Sequence, residues 1–390
     1  MEPMPRPESD CDELLARVDA IAPIIVAHRE QAENDGELSP VVVAALKDSG
    51  LINLFLPRSL RGLEADPITC AKVVQSVARL DSSAGWFLMV ANAARLSAAT
   101  WPQSLVEELW LDHPAAIVAA SSNKPMKAQR IDGGFRVEGQ TSFASGCRFA
   151  TWFLTPAVCS GPSGDEWIAV LVPMSECEIV PNWSVLGMRG TGSHDIRISA
   201  FVPTHHTIVS VGMDAKRNAY YDGALYRCSH RIVFATYVPV SLAVAQLALE
   251  ALSELAQNKT PYAGDSKLKL RSLAQIKFGR ALGIYRAAYG YFFDALDDAW
   301  QRAKRNEIPT SSERAALYLA GTHTVQACAD VVRLVAEAAG SSIIYKDNPL
   351  ERHVRDMEVL RHHGFTSEQR FGSVAQVLWD APLDYPLLLR

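Results

Sequence analysis

The sequence lacks any CxxC pair. Its seven cysteines, Cys11, Cys70, Cys147, Cys159, Cys177, Cys228 and Cys328, are odd in number and irregularly spaced. Neither a disulfide framework nor a cysteine-built zinc site is suggested, and reduced, buried thiols are expected. Positive charge is not in excess either: 38 Lys and Arg face 43 Asp and Glu, for a net charge of −5. The basic residues are scattered, and the densest run, QRAKRNE (Gln301 to Glu307), is short. This argues against nucleic acid as a partner, because polyanion binding needs a clustered basic face. Neither GxGxxG nor a P-loop occurs, so no glycine-rich phosphate cradle is indicated. The N-terminus, MEPMPRPESDCDELLARV, is polar and acidic, without a leader-like apolar core. The apolar run Ala84 to Ala99 contains Asn92 and Arg95 and is too short and too polar to span a bilayer. A soluble, cytoplasmic chain with no membrane partner is expected.

What is present is apolar mass and a change of period. With 390 residues, 48% of them apolar, two or three domains with sizeable cores are expected. The first segment, residues 1–116, reads as helices. DELLARVDAIAPIIVAHREQAEND repeats apolar residues at helical spacing. SPVVVAALKDSG opens with Ser39 as an expected N-cap and Pro40 at the first helical position, and stops at Gly50. Asp66 and Pro67 repeat the device. The second segment, 117–212, alternates: GGFRVEGQTSFASG, TWFLTPAVC, EWIAVLVP, CEIVP and HDIRISAFVP are strand-like runs broken by Gly, Pro and Ser. A small antiparallel β domain is expected. The third segment, 213–390, returns to long helical patterns joined by short loops, which indicate an antiparallel four-helix bundle. Pro239 is expected to kink its first helix or mark a late start, and Ser311 or Ser312 to cap a later one. The fold class is therefore α+β, mainly α, with no internal repeat.

That order of segments, with its motifs, resembles the acyl-CoA dehydrogenase fold. SGLINLFLPRSLRGLEADP (Ser49 to Pro67), GGFRVEGQTSFASG (Gly133 to Gly146), VLGMRGTGSHDIRISAFVP (Val185 to Pro203) and NPLERHVRDMEVLRHH (Asn348 to His363) occur in the family's order and cover almost the whole chain. Two chemistries compete within it. An FAD-dependent acyl-CoA dehydrogenase usually places a glutamate base after the Arg-Asp pair. Here that turn reads His363-Gly364-Phe365-Thr366, and Glu368 follows a turn later. The two-component flavin-dependent monooxygenases, similar to the oxygenase component of p-hydroxyphenylacetate hydroxylase and to dibenzothiophene monooxygenase, instead carry a histidine after the pair. His363 stands eight residues after Arg355, and SFASGCRFATWFL is similar to a stretch of that branch. The monooxygenase reading is preferred; a dehydrogenase, or a non-catalytic flavin-fold binding protein, are the alternatives.

The resemblance implies reduced FMN or FAD and O2 as cofactors, a C4a-hydroperoxyflavin as the oxygenating species, and an NAD(P)H-dependent flavin reductase as partner. It implies a small, aromatic or polycyclic substrate, and a homodimer or homotetramer. His363 is expected as a general base and Ser145 as a hydrogen-bond donor near the flavin. His362, its neighbour on a helix, points about 100° away and is read as incidental. Phe143, Ser145, Gly146, Arg189, Thr191, Ser193 and Arg355 are the expected cofactor contacts. Trp86, Asn92, Trp152 and Trp183 are expected to line the substrate pocket, with Asn92 standing in for a histidine that the branch carries near Ala93. No metal is expected.

Overall fold

The computed structural model describes residues 11–161, 164–208, 216–262 and 264–389. Five helices come first: α1 (Cys11–Asp35), α2 (Pro40–Asp48), α3 (Pro67–Leu80), α4 (Ser82–Ser97) and the short α5 (Gln103–Val106), which runs on into a π-helical turn, Glu107–Leu111. The two expected proline starts differ in their caps. The Asp66 carboxylate accepts from the backbone N–H groups of Ile68 and Thr69 at 2.9 and 3.0 Å, satisfying two of the donors that a helix start leaves open. Ser39 makes no such bond with its side chain. Asp81 opens α4, accepting from the Ala84 N–H at 2.8 Å.

Eight strands follow: β1 (Val118–Ala120), β2 (Met126–Ile131), β3 (Gly134–Ala144), β4 (Trp152–Gly161), β5 (Gly164–Pro173), β6 (Cys177–Val180), β7 (His194–Pro203) and β8 (Thr207–Ile208). They form one sheet in the order β6-β7-β3-β2-β4-β5-β8, with β1 beside β4. The sheet is mixed rather than antiparallel throughout, because β1 and β2 both run parallel to β4. Alternation along the strands gives it a core of its own, with Phe135, Val137, Phe153, Ile168, Val170, Ile196 and Ile198 all buried. The expected boundary at 212/213 lies outside the described residues.

The helices after the sheet are α6 (Phe234–Asn258), α7 (Ser272–Lys304), α8 (Ser311–Ala339), α9 (Pro349–Arg361) and α10 (Gln369–Leu378). Helix α6 starts only five residues before Pro239, so the proline disturbs its first turns and no more. The cap of α8 is Thr310, not Ser311 or Ser312: Thr310 and Glu313 bond each other's backbone N–H in a capping box. The stretch His230–Asn258 is long and apolar enough to cross a membrane by length and composition. However, 89% of its apolar window is buried inside the protein, as expected of the helix around which a bundle packs. Helix α6 packs on α3, α4, α8 and α9, and α4 and the end of α9 meet against it. That meeting place, beside the rim of the sheet, holds the residues singled out from the sequence.

Candidate active site

Helix α4 brings Trp86 to the junction of sheet and bundle. It is only 8% exposed, yet its indole N–H donates to Ser145 Oγ at 3.1 Å. Ser145 reaches that point because the end of β3 bends. The register with β7 slips between Thr141 and Ala144, and Phe143 and Gly146 take left-handed backbone angles, φ 69° and 70°. A Cβ on Gly146 would lie 2.9 Å from the Phe87 ring of α4, so glycine is what lets strand and helix close. A left-handed phenylalanine costs on the order of 1–3 kcal/mol and is the kind of strain that gathers at functional sites.

Three hydroxyls continue from the indole. Ser145 Oγ lies 2.7 Å from Ser193 Oγ, Ser193 Oγ lies 2.7 Å from Thr191 Oγ1, and Thr191 Oγ1 donates to the Met188 carbonyl at 2.8 Å. Each hydroxyl has one proton to give. Since the indole can only donate and the carbonyl only accept, the chain has a direction: Trp86 to Ser145 to Ser193 to Thr191 to Met188. Ser145 therefore keeps a spare lone pair, and its proton is engaged. This reverses the donor role expected of it.

Across from Trp86 stands His363, on the turn between α9 and α10. Its ring is 5.4 Å from Trp86, 4.9 Å from Tyr237 and 5.0 Å from Phe365, centre to centre. Nδ1 accepts the Phe365 backbone N–H at 3.3 Å. Burial pushes the imidazole down to about 4, since a charged ring is poorly solvated there. A neutral ring with its Nδ1 lone pair engaged carries its proton on Nε2. His363 thus presents an N–H donor, and the expected general-base role is replaced by a donor role. His362 is exposed, 3.6 Å from Glu358. Glu368 is exposed as well, and among the described residues no carboxylate has a recorded contact with the Trp86–Tyr237–His363–Phe365 group.

Other expected residues have different occupations. Asn92 is wholly buried; its amide donates to the Leu51 and Leu88 carbonyls and its oxygen accepts the Phe55 N–H. It braces α4. Arg355 is spent on Glu351, Glu33 and the Leu186 carbonyl, at 2.6 to 2.8 Å, and bonding to Glu351 first, then Glu33, holds its pKa above the ordinary value. It joins α9 to α1 and to the Val185–Ser193 loop rather than facing a cofactor. Arg189 is only loosely paired, 4.0 Å from Glu33. Trp183 packs on Phe143, which is itself 58% exposed, and Trp152 packs on His206; neither shares a ring contact with Trp86 among the described residues.

Asp356 was not singled out as a site residue, yet it is the pin of the junction. It is 1% exposed. One carboxylate oxygen accepts the Ser82 hydroxyl and the other the Met188 N–H, both at 2.6 Å. Gly187 fits beneath: a Cβ there would come within 2.3 Å of the Arg355 carbonyl. Tyr237 was missed as well. Its signal is one phenol within the aliphatic run FATYVPVSLAVA, since a buried hydroxyl needs a partner. It finds two, the Leu360 carbonyl at 3.2 Å and Thr366 Oγ1 at 3.0 Å.

Known proteins share this arrangement of elements. Residues 235–368 match the family described as acyl-CoA dehydrogenase, C-terminal domain. A solved structure of XiaF from Streptomyces sp., in complex with FADH2 and glycerol, superposes with a TM-score of 0.90 at 22% identity, over 96% of this chain and 97% of that one. The chain has the acyl-CoA dehydrogenase fold. The indole-3-acetate monooxygenase of Pseudomonas putida is 28% identical over 85% of this chain and 84% of its own length. The oxygenase subunit HsaA of a flavin-dependent monooxygenase from Mycobacterium tuberculosis is 27% identical over 93% and 94%. Both similarities cover most of this chain and most of the relative.

Proposed function

We propose that this chain is the oxygenase component of a two-component system. It receives reduced FMN or FAD from a separate NAD(P)H-dependent reductase and places one oxygen atom of O2 on a small aromatic or polycyclic substrate. The observation that carries this reading is the character of the site: an N–H donor on His363 faces a directed hydroxyl chain inside an aromatic wall, with no carboxylate in contact among the described residues. An acyl-CoA dehydrogenase needs a base for the substrate's α-proton, and the His363–Thr366 turn supplies none.

The residues fit a reduced flavin. Its N5 carries a proton, and Ser145 has a lone pair to accept it because its own proton goes to Ser193. Ser145, Gly146, Thr191 and Ser193 would hold the ring, with Phe143 and Arg189 at the outer edge of the same segments. When bound, the flavin supplies the oxygen activation. The protein does the rest. Trp86, Tyr237 and Phe365 exclude water, which strengthens each hydrogen bond in the pocket. His363 holds a proton at Nε2 where negative charge develops, and stays neutral because burial resists a second proton.

The same proposal places the enzyme in the cytoplasm as a homodimer or homotetramer. Helix α7 supports the second point: Leu273 and Ile276 are 65% and 58% exposed on it, an apolar strip that another copy would cover.

The test is anaerobically reduced flavin, added to protein with and without an aromatic compound, then mixed with oxygen. Indoles come first, given the indole-3-acetate monooxygenase among its relatives, then phenols and polycyclic thiophenes. Hydroxylated product that requires reduced flavin is the expected result. Bleaching of protein-bound FAD by an acyl-CoA, with no oxygenated product, would replace this reading by the dehydrogenase one.

A further inference from the structure

The turn that carries His363 begins where α9 runs out, and the last carbonyls of a helix have no partner within it. Side chains from two other helices fill that role. Tyr237 of α6 donates to the Leu360 carbonyl. Gln326 of α8 donates its amide to the Arg361 carbonyl at 2.9 Å and to the Thr366 carbonyl at 2.7 Å. Tyr318, roughly two turns earlier on α8, donates to the Phe365 carbonyl at 2.6 Å.

Gln326 differs from the two tyrosines. Tyr237 touches the His363 ring, and Tyr318 meets Phe234 and Tyr385 edge to face; removing either would change the packing around the pocket. Gln326 carries no ring, and it takes part in the turn through hydrogen bonds. Among the described residues its side-chain hydrogen bonds go to the two carbonyls that bracket the turn, and a primary amide has one proton for each. Between those carbonyls lie His363 and the Phe365 N–H that sets its tautomer. Thr366 is fully buried, so water is poorly placed to replace the amide.

We infer that Gln326 is a positioning residue for His363: its amide clamps both ends of the 361–366 turn and so fixes the direction of the Nε2–H, without touching the ring. This rests on the proposed function only for what the N–H acts upon. The clamp itself is a statement about the turn and has a readout of its own.

The experiment uses the full-length protein, Gln326→Leu, which has no donor, and Gln326→Glu, which keeps the shape and loses both donor protons. With 15N-labelled histidine, the His363 signals are those that vanish in His363→Gln. Wild type is expected to show one Nε2–H tautomer, and both Gln326 variants a mixture. A single unchanged tautomer in both variants overturns the clamp. If the leucine variant does not fold, the glutamate variant decides alone. Turnover gives the second readout. Each Gln326 variant is expected to lose about tenfold in product per reduced flavin, and adding His363→Ala to it to cost no more than His363→Ala alone, because both act through one group. Fully additive losses would overturn the assignment. A tautomer change in a protein without oxygenase activity would instead leave the clamp standing and remove the proposed function.

Discussion

The two ends of α9 make opposite use of their surroundings. The N-terminal half carries Glu351, Arg352, Arg355 and Asp356, tied to Glu33 of α1, Asp81 at the cap of α4 and the Met188 loop. The turn after its C-terminal end carries His363 among Trp86, Tyr237 and Phe365, with a neutral hydrogen bond to its ring and the Arg231 guanidinium 5.7 Å over Phe365. Charge is concentrated where helices and loop must be locked together. Around His363 the contacts are aromatic rings, with the Arg231 guanidinium over one of them. One helix thus separates holding from reacting by about two turns.

Breaking the charged end should have the largest effect on stability. Asp356→Ala strands the Ser82 hydroxyl and the Met188 N–H and takes one of three carboxylates from Arg352, and loss of one partner from a buried charged network costs about 3–5 kcal/mol. Chemical denaturation is expected to show that loss; a change under about 1 kcal/mol would mean the pin is dispensable. His363→Ala should act the other way round, leaving the unfolding midpoint nearly unchanged and lowering product per reduced flavin on the order of a hundredfold. An undiminished yield would remove His363 from the chemistry. Ser145→Ala interrupts the hydroxyl chain and deprives the Trp86 N–H of its acceptor; hydrogen peroxide is expected to replace product on the order of tenfold. Tight coupling in that variant would leave Ser145 as a turn residue only.

A pH series sharpens the comparison without a mutation. Burial holds folded His363 neutral down to about 4, against 6.5 for an ordinary histidine. Between those values the unfolded chain binds the extra proton, so this group's contribution to stability is complete above 6.5 and is lost as pH falls toward 4. Product yield should therefore be flat across the histidine range, and an inflection near an ordinary histidine pKa that disappears in His363→Gln would contradict the donor role. The smallest effect is expected from Arg197→Gln. It removes a pair with Glu178 whose side chains are 50% and 60% exposed, and such pairs contribute about 0–1 kcal/mol.

The change of period from helix to strand to helix was legible in the sequence because it is local. So were the Asp66-Pro67 start of α3 and the importance of the Arg-Asp pair near the C-terminus. What the pair does was not legible. Arg355 finds Glu33, 322 positions away, and Asp356 finds Ser82, 274 positions away; no periodicity encodes such partners. Asn92 looked like a polar group lining a pocket because spacing says which face a residue is on, not whether backbone groups of Leu51 and Phe55 already await it. His363 was found, but its tautomer depends on one backbone N–H and its protonation on a wall assembled from two helices and a turn. The parallel strands β1 and β2 were also beyond reach, since a strand pattern gives a face but not a direction.

Two glycines show how unevenly this junction would tolerate variation. Gly187 has no room for a methyl group, because the Arg355 carbonyl and the Asp356 nitrogen would lie 2.3 and 2.6 Å from it. In a mutant library every substitution there should read as a loss, whatever compound is used for selection. Gly364, beside His363, has nothing within 4 Å of the same imagined atom. Residue 364, which is exposed, is thus a place where a library can add bulk beside His363 without a clash.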